Sequence, residues 1–150
     1  MKQILIIIDN KILEEYYTYY FKKYPRRHKK PIDKPIPPSL NQWSVAVRNH
    51  ANNLKQNWKD FIIWIVNKCN YQNMNIDKCT ITYKYYFPSK LRRDCDNYNG
   101  KFICDGLVES GLIVDDSFFH VNPLTIFGFY DKNNPRTEIL IEYNGEKNKG

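Results

Sequence analysis

The chain has 150 residues, a length that predicts one domain with a sizeable buried core. Hydrophobic residues make up 42% and charged residues 26% of the sequence, which excludes a largely disordered, collagenous or channel-forming chain. Lys and Arg number 23 against 16 Asp and Glu, so the formal net charge is +7. This charge favours a polyanionic partner such as nucleic acid, although on charge alone a basic protein without a specific partner is equally open.

Neither a membrane span nor a zinc site is predicted. The longest apolar run near the amino terminus, Ile4 to Ile8, is too short to cross a bilayer or to form the core of a signal peptide, so we expect no membrane association and a cytoplasmic location. The four cysteines include no C-x-x-C pair and no histidine at zinc-finger spacing. We interpret them as reduced thiols used mostly for packing: Cys69, Cys79, Cys95 and Cys104.

A β-branched run at residues 2–8 predicts the first strand, buried on both faces or lying in the middle of a sheet. Residues 11–20 are rich in tyrosine, and the sequence predicts no element for them. Residues 22–38, here named the basic loop, combine many cations with prolines that exclude a helix. We interpret the basic loop as an extended, mobile arm that ends where Ser39 or Asn41 caps the next element.

Two helices and a strand are predicted in the middle of the chain. Between residues 44 and 69 apolar side chains, beginning with Val47, recur at steps of three and four, which indicates an amphipathic helix. Residues 80–86 alternate as in a half-buried strand. Residues 97–110 again show helical spacing and stop at Gly111, a good position for a left-handed cap.

Residues 118–130 and 137–143 are rich in aromatic and β-branched side chains and are separated by the turn-forming sequence DKNNPR, which predicts a final hairpin. The tail, about residues 145–150, is expected to fray. The order of elements predicts an α+β fold with two main helices packed on one face of a small mixed sheet, in a single domain covering residues 1–150.

Four aspartates flank the second predicted helix. Asp94 and Asp96 precede it and are two residues apart, so on an extended chain both carboxylates point to the same side. Asp115 and Asp116 follow it. Like charges side by side are unfavourable unless solvent or a cation relieves them, and Mg²⁺ or Mn²⁺ prefers such hard oxygen ligands. If the loop that follows the helix lies close to Asp94 and Asp96, the pattern predicts a divalent-metal site.

Lys101 lies on a stripe with Asn97 and Asp105 at four-residue steps, which would direct its ammonium group toward the metal end of the helix. Structural roles stay open for every one of these groups. Aspartates beside helices are common as caps and in solvated turns. Lys101 and Asp105 can also form no more than a surface pair worth roughly a few tenths of a kcal/mol.

Residues 94–116, DCDNYNGKFICDGLVESGLIVDD, resemble the signature of the RusA family of Holliday junction resolvases: D-x-D-N, then a lysine, then D-x-L, a glycine and D-D. Upstream, PPSLNQW followed by a basic helix resembles the family's P-S-x-N segment more loosely. Lys101 lies one residue further from Asn97 than the lysine of that signature does from its asparagine. The departure affects only the expected start of the helix, because the spacing from Lys101 to Asp105 is kept.

The resemblance implies a small homodimeric α+β endodeoxyribonuclease, often encoded by phages or prophages and acting in the bacterial cytoplasm. It further implies that Mg²⁺, for which Mn²⁺ substitutes, supports the resolution of four-way (Holliday) DNA junctions by paired symmetric nicks in DNA recombination and repair. By position it implies Asp94, Asp96 and Asp116 as the metal-binding catalytic carboxylates, Asp115 as a secondary one and Lys101 as the essential lysine. We therefore expect the oxygens of Asp94, Asp96 and Asp116 to converge around one divalent ion.

Five basic residues are expected to hold DNA phosphates without reading bases. Arg92 and Arg93 lie beside the predicted site, whereas Arg48, Lys55 and Lys59 lie on the first predicted helix. For the helix residues an ordinary solvated face is an equally good interpretation.

For Lys101 we favour an electrostatic role, in which the fixed cation stabilises the negative charge of the transition state. His50 and His120 are available as general bases, although lone histidines are more often structural. Two other functions stay open: a non-catalytic basic nucleic-acid-binding protein whose aspartates cap turns, and a less selective Mg²⁺-dependent nuclease acting on branched DNA.

Overall fold

The structure, a computed structural model, describes residues 1–46 and 48–145. The predicted frayed tail lies, from residue 146 onward, outside the described residues. Strands and helices together form an α+β fold, as predicted. In chain order the elements are β1 (Lys2–Ile8), α1 (Asn10–Lys23), α2 (Leu40–Ser44), α3 (Arg48–Lys68), β2 (Cys79–Phe87), a 3₁₀ helix (Cys95–Asn97), α4 (Lys101–Glu109), β3 (Val121–Tyr130) and β4 (Arg136–Tyr143).

The strands form a mixed sheet in the order β1-β4-β2-β3. β4 is antiparallel to both of its neighbours, whereas β3 is parallel to β2. The predicted final hairpin is wrong, because β2 lies between β3 and β4. The intervening residues do turn the chain: Asp131 Oδ1 accepts hydrogen bonds from the backbone N–H groups of Asn133 and Asn134. Such turn chemistry sets only the local chain direction and leaves the choice of strand partner to the rest of the fold.

β1 is an edge strand with one buried face. Ile4, Ile6 and Ile8 are buried, whereas Leu5 and Ile7 are 49% and 39% exposed. The prediction that this strand is buried on both faces or central is therefore wrong. A continuous β-branched run satisfies strand propensity on both faces, but it does not reveal which faces other elements cover.

β2 lies in the sheet interior and confirms the predicted alternation. Ile81, Tyr83 and Tyr85 are buried almost completely. They belong to the same apolar cluster as the buried side chains of β1, β4, α1, α3 and α4. Within the described residues, α1, α3 and α4 cover one face of the sheet and leave the other face open. Three helices therefore pack on the sheet, and the prediction of two main helices is wrong.

Residues 11–20, for which the sequence predicts no element, belong to α1. Asp9 Oδ1 caps this helix by accepting a hydrogen bond from the backbone N–H of Ile12 at 2.9 Å. The buried residues follow the spacing of an amphipathic helix, a signal carried largely by tyrosines: Leu13, Tyr16, Tyr17 and Tyr20.

The helix predicted for residues 44–69 is divided into α2 and α3. Ser39 caps α2, as predicted, and Gln42 completes a capping box. Val47 lies outside the described residues. The remaining apolar side of α3 is confirmed by its buried residues: Trp58, Phe61, Ile62, Ile65 and Val66.

The basic loop is anchored to the body of the protein, unlike the mobile arm predicted. Ile32 is buried, as are three of the prolines around it. Side chains from α1, α3 and β4 donate hydrogen bonds to its backbone carbonyls: Tyr17 to Ile32, Asn57 to Pro31 at 3.1 Å and Thr137 to Pro35 at 2.7 Å. Prolines exclude a helix, but they do not prevent an extended segment from packing.

None of the helices within residues 1–46 and 48–145 combines the length and the apolar composition needed to cross a lipid bilayer.

Candidate metal centre

All four predicted carboxylates lie in the connection between β2 and β3, residues 88–120. Parallel neighbours cannot be joined by a tight turn, so this connection must travel back along the sheet. It does so through α4, which packs on α3 and buries Phe102, Ile103 and Leu107. The first aspartate pair therefore precedes α4 and the second pair follows it, as the sequence predicts.

The first aspartate pair is not on a strand. Asp94 is extended and immediately precedes the 3₁₀ helix, whereas Asp96 lies within that helix. The expectation that both carboxylates leave one face of an extended chain is therefore wrong. Both residues are exposed, and Asp94 Oδ1 lies 3.3 Å from Nη2 of Arg92.

A glycine brings the start of α4 against β2. Gly100 has a φ of +79°, in the left-handed region that favours glycine. A Cβ at this position would stand 2.6 Å from Cζ of Tyr83. Tyr83 is fully buried, and its hydroxyl group lies 3.0 Å from Sγ of Cys104 within α4. The position of α4, and of the lysine that begins it, is thus set by contact with β2.

Lys101 is the first residue of α4, so Asn97 belongs to a separate helix and the predicted three-residue stripe is wrong. The Lys101 Nζ atom lies 4.7 Å from the centre of the Trp43 ring, close enough for a cation–π interaction. Asp105 pairs instead with Lys55 of α3, with 3.7 Å between Nζ and Oδ2. The Lys101 ammonium group is thus held near α2, close to the start of α4.

Negative charge is concentrated where the chain leaves α4. Partial burial, followed by the charges of Asp115 and Asp105, raises the pKa of Asp116 above its usual value. Gly111 has the predicted left-handed conformation, with a φ of +77°, and the buried Leu112 anchors the exit. The charge of Asp105 therefore acts on Asp116 of the closing aspartate pair. The sequence analysis does not predict this interaction.

The predicted ligands are not gathered into a metal site. Across residues 1–46 and 48–145, no three His, Cys, Asp or Glu side chains are grouped closely enough to hold a metal ion. The expected convergence of Asp94, Asp96 and Asp116 is therefore not preformed. Their chemistry suits Mg²⁺, because they offer hard carboxylate oxygens and the charge around Asp116 is one that a cation would relieve. Their assignment as ligands stays a prediction.

Two of the basic residues predicted to hold DNA on α3 face acidic residues of α4. Lys59 Nζ lies 3.0 Å from Oε2 of Glu109, and this contact raises the pKa of Lys59. Lys55 is the partner of Asp105. Arg48, at the start of α3, is exposed. These ion pairs give Lys55 and Lys59 a role between α3 and α4 in addition to the predicted phosphate contacts.

Arg93 is fixed beside the first aspartate pair. Its guanidinium group lies 4.3 Å from the centre of the Phe87 ring and donates hydrogen bonds to the backbone and side-chain oxygens of Ser89. A cavity of about 320 Å³ brings Arg92, Arg93, Asp94 and Asn97 together with Ser39. The start of α2 thus lines the same depression as the first aspartate pair.

The two candidate histidines lie in different surroundings. His120 Nδ1 is 2.7 Å from the backbone oxygen of Asp77 and 3.1 Å from its carboxylate. His50 is an exposed residue of α3 and lines a cavity together with the basic loop.

Sequence reasoning gave no role to Trp43 or Gly100, although both contact the start of α4. Trp43 lies in the PPSLNQW segment, which the sequence marks only by its prolines and its helix cap. Gly100 lies inside the helix predicted for residues 97–110, where a glycine is unfavourable and could have indicated a later helix start. The contacts of Trp43 with Lys101 and of Gly100 with Tyr83 depend on tertiary packing.

The sequence matches the model of a protein family, described as Endodeoxyribonuclease RusA, over residues 15–142. No curated protein matches the chain.

Proposed function

Because the chain belongs to the RusA family of endodeoxyribonucleases, we propose that it is a Mg²⁺-dependent enzyme that resolves four-way DNA junctions by paired symmetric nicks. The family match covers residues 15–142 and includes every predicted site residue. Branched DNA is therefore the proposed substrate, and recombination and repair are the proposed context. Activity in the cytoplasm of a bacterial or phage-infected cell is part of the same proposal.

The observation that carries the proposal is the arrangement of charge around α4. Two exposed aspartates precede this helix, a lysine begins it and two aspartates follow it, all within one connection of the sheet. A turn-capping role needs no lysine at the helix start and no concentration of carboxylates at its exit. Phosphodiester hydrolysis uses both kinds of group.

We propose that Asp94, Asp96 and Asp116 hold the metal, with Asp115 in a secondary role. A bound Mg²⁺ would supply an activated water, a polarised phosphate and a stabilised leaving oxygen. Since these carboxylates are not gathered in the described residues, we propose that binding of the cation brings them together. The exposure of Asp94 and Asp96 on the segment before α4 supports this proposal.

Lys101 supplies the fixed positive charge in this proposal. Its ammonium group lies over the Trp43 ring, and a cation held in place loses less freedom when it meets a phosphate. It stabilises the additional negative charge of the transition state without transferring a proton. Trp43 acts through Lys101 and is therefore a positioning residue.

Substrate binding near the site falls to Arg92 and Arg93, which share a depression with Asp94. Arg48, Lys55 and Lys59 are proposed to extend the phosphate contacts along α3. Lys55 and Lys59 are expected to contribute less than Arg48, because each already compensates a carboxylate of α4.

A homodimer is proposed because a junction has two-fold symmetry and two opposing strands must be cut. The open face of the sheet supports this proposal. In the strand register, Phe127 pairs with Lys84 and Phe129 with Tyr86, on the side opposite the buried core. Exposed apolar side chains from both edges of the sheet lie on this face: Leu5, Ile7, Phe127 and Phe129. Such a surface suits a second copy of the chain.

The deciding experiment incubates the purified protein with a synthetic four-way junction and with plain duplex, with and without Mg²⁺. Wild-type protein is expected to make paired symmetric nicks in the junction only, and only with the metal. Asp94→Asn is expected to bind the junction without cutting it, while Lys11→Gln, an exposed change on α1, serves as the control. Cutting without metal, or equal cutting by Asp94→Asn, would overturn the proposal.

In the described residues no three candidate ligands are grouped around a metal position, and this observation favours one alternative function. A non-catalytic nucleic-acid-binding protein would bind the junction, show no Mg²⁺-dependent cleavage and keep its function in Asp96→Asn. The same experiment separates the two functions.

A further inference from the structure

The net positive charge of the protein is concentrated in the basic loop. Residues 22–38 contain seven of the 23 Lys and Arg residues and a single acidic residue, Asp33. In the rest of the chain sixteen Lys and Arg stand against fifteen Asp and Glu, which is close to neutrality. Any long-range attraction of a polyanion therefore arises mainly from this loop.

Several cations of the basic loop are held in place by aromatic side chains of α1 and its end. The guanidinium group of Arg27 lies 3.9 Å from the centre of the Tyr24 ring and donates a hydrogen bond of 2.8 Å to the Tyr20 hydroxyl group. Lys30 Nζ lies 4.7 Å from the centre of the Tyr17 ring. Together with the hydrogen bonds to the loop backbone, these contacts reduce the entropy that the cations lose on binding.

These cations are not compensated by carboxylates. Within residues 1–46 and 48–145, no Lys or Arg of the basic loop forms an ion pair, whereas Lys55, Lys59 and Arg92 near α4 each do. Binding to nucleic acid is driven by unpaired cations that displace the counterions of phosphates. The basic loop is therefore better suited to phosphate binding than Lys55 and Lys59 of α3.

The basic loop is also continuous with the first aspartate pair. One cavity of about 610 Å³ lies between Lys29, Lys30 and His50. The next, of about 710 Å³, shares Pro31 and His50 with it and extends to Arg92 and Arg93. Those arginines also line the depression that contains Asp94. A groove therefore leads from the basic loop to the candidate metal centre.

We propose that the basic loop binds the phosphates of a duplex DNA arm and that the groove leads the backbone of this arm to Asp94. This inference rests on the proposed function, because it assigns the loop to the same DNA substrate. It adds a contact surface away from the cleaved position and gives the loop a fixed, preorganised role. The contact is sequence-independent, since it involves phosphates and not bases.

The test measures binding in EDTA, so that cleavage does not interfere. Lys29, Lys30 and Lys34 are replaced together by Gln, and a matched control replaces Lys11, Lys78 and Lys132, which are exposed on other parts of the surface. Fluorescence anisotropy gives the affinity for a four-way junction and for a linear duplex at several salt concentrations. Melting temperatures establish whether each variant folds. If the triple loop variant does not fold, the single variant Lys29→Gln takes its place.

For the loop variant we expect affinity at least about tenfold lower than that of the control and a log–log salt slope smaller by about two to three, or by about one for Lys29→Gln alone. The loss should be similar on duplex and junction, because a duplex arm is contacted. Equal binding by the loop variant and the control, or a loss confined to the junction, overturns this inference alone. The proposed function is then still tested separately by the junction cleavage assay. Wild-type protein that neither binds nor cuts DNA would overturn both.

Discussion

The ring of Tyr83 occupies the space in which a side chain at Gly100 would stand, so the backbone at the start of α4 touches the central strand β2 directly. Gly100→Ala is expected to lower the free energy of unfolding by about 2 to 4 kcal/mol, because it adds left-handed backbone strain to an overpacked contact. It should also displace Lys101 and reduce junction cleavage. Urea denaturation and a cleavage assay measure the two effects.

The matched control is Gly128→Ala. A Cβ at Gly128 meets Cε2 of Phe87 at 3.6 Å, an ordinary van der Waals distance. This variant should therefore keep the stability of the wild type within about 0.5 kcal/mol. Equal stabilities for the two variants would contradict the tight contact at Gly100.

Replacing Lys101 tests the electrostatic role proposed for it. Lys101→Gln is expected to reduce the single-turnover cleavage rate by about 100-fold or more and to change junction affinity much less, because the charge acts in the transition state. Lys55→Gln, on the facing helix, should reduce the rate by less than about threefold, since its partner is Asp105. A general-base role would instead give a pH–rate profile that changes shape in Lys101→Arg.

Asp116 offers a test that does not depend on cleavage alone. Because partial desolvation and the carboxylates of Asp115 and Asp105 raise its pKa, the ionised form is disfavoured in the folded protein. In EDTA at neutral pH, Asp116→Asn should melt at a higher temperature than the wild type. Mg²⁺ should stabilise the wild type and leave the variant unchanged, and the variant should not cut junctions. A wild type indifferent to Mg²⁺ would argue against a ligand role for Asp116.

The turn after β3 gives a pH-dependent prediction with a defined sign. Arg136 Nη1 lies 2.9 Å from Oδ2 of Asp131 and, with backbone N–H groups of the turn, lowers the pKa of Asp131. A lowered folded pKa stabilises the protein above the ordinary pKa of about 4, and this contribution is lost as the pH falls through the folded value. Asp131→Asn should therefore melt below the wild type at neutral pH.

As the pH falls through the folded pKa of Asp131, the difference in melting temperature between wild type and Asp131→Asn should shrink toward zero, because the protonated carboxyl is neutral like the amide. For Lys132→Gln, a change in the same turn, the difference in melting temperature from the wild type should not shrink in this way as the pH falls. A difference between Asp131→Asn and the wild type that persists in acid would mean that the change acts through packing.

The proposed dimer is tested on the open sheet face. Replacing Phe127 and Phe129 by Asp should give a monomer in sedimentation velocity experiments and reduce paired cutting at least about tenfold, because charged groups oppose burial of this face. The exposed Met74→Asp serves as the control and should sediment like the wild type. A wild type that is monomeric with and without junction DNA would contradict the proposal.

Local chemistry predicted several elements well. Ser39 caps α2, Gly111 takes a left-handed conformation, and the alternation around Tyr83 identifies β2, because each of these depends on neighbours in sequence. The tyrosine-rich α1 was missed because its apolar stripe consists mostly of residues that also favour strands. Its cap at Asp9 was a readable signal.

Long-range arrangement was the part that sequence could not supply. The turn at Asp131 looks like that of a hairpin, yet β2 lies between the strands it joins. The spacing of Asp94 and Asp96 predicts a shared face only if the chain is extended, and a short helix removes that condition. The partners of Lys101 and Asp105 come from α2 and α3, which no local pattern specifies.

The pairing of β1 with β4 affects how the protein folds during synthesis. Lys2 lies opposite Tyr143 and Ile8 opposite Thr137, so the β1 ladder joins the two most distant parts of the described chain. On the ribosome, β1 emerges early and stays without its neighbour until β4 has been made. Such distant pairings slow folding, and meanwhile the apolar β1 run is exposed to other chains. Slow maturation and a need for chaperones during synthesis are the expected cost of this strand order.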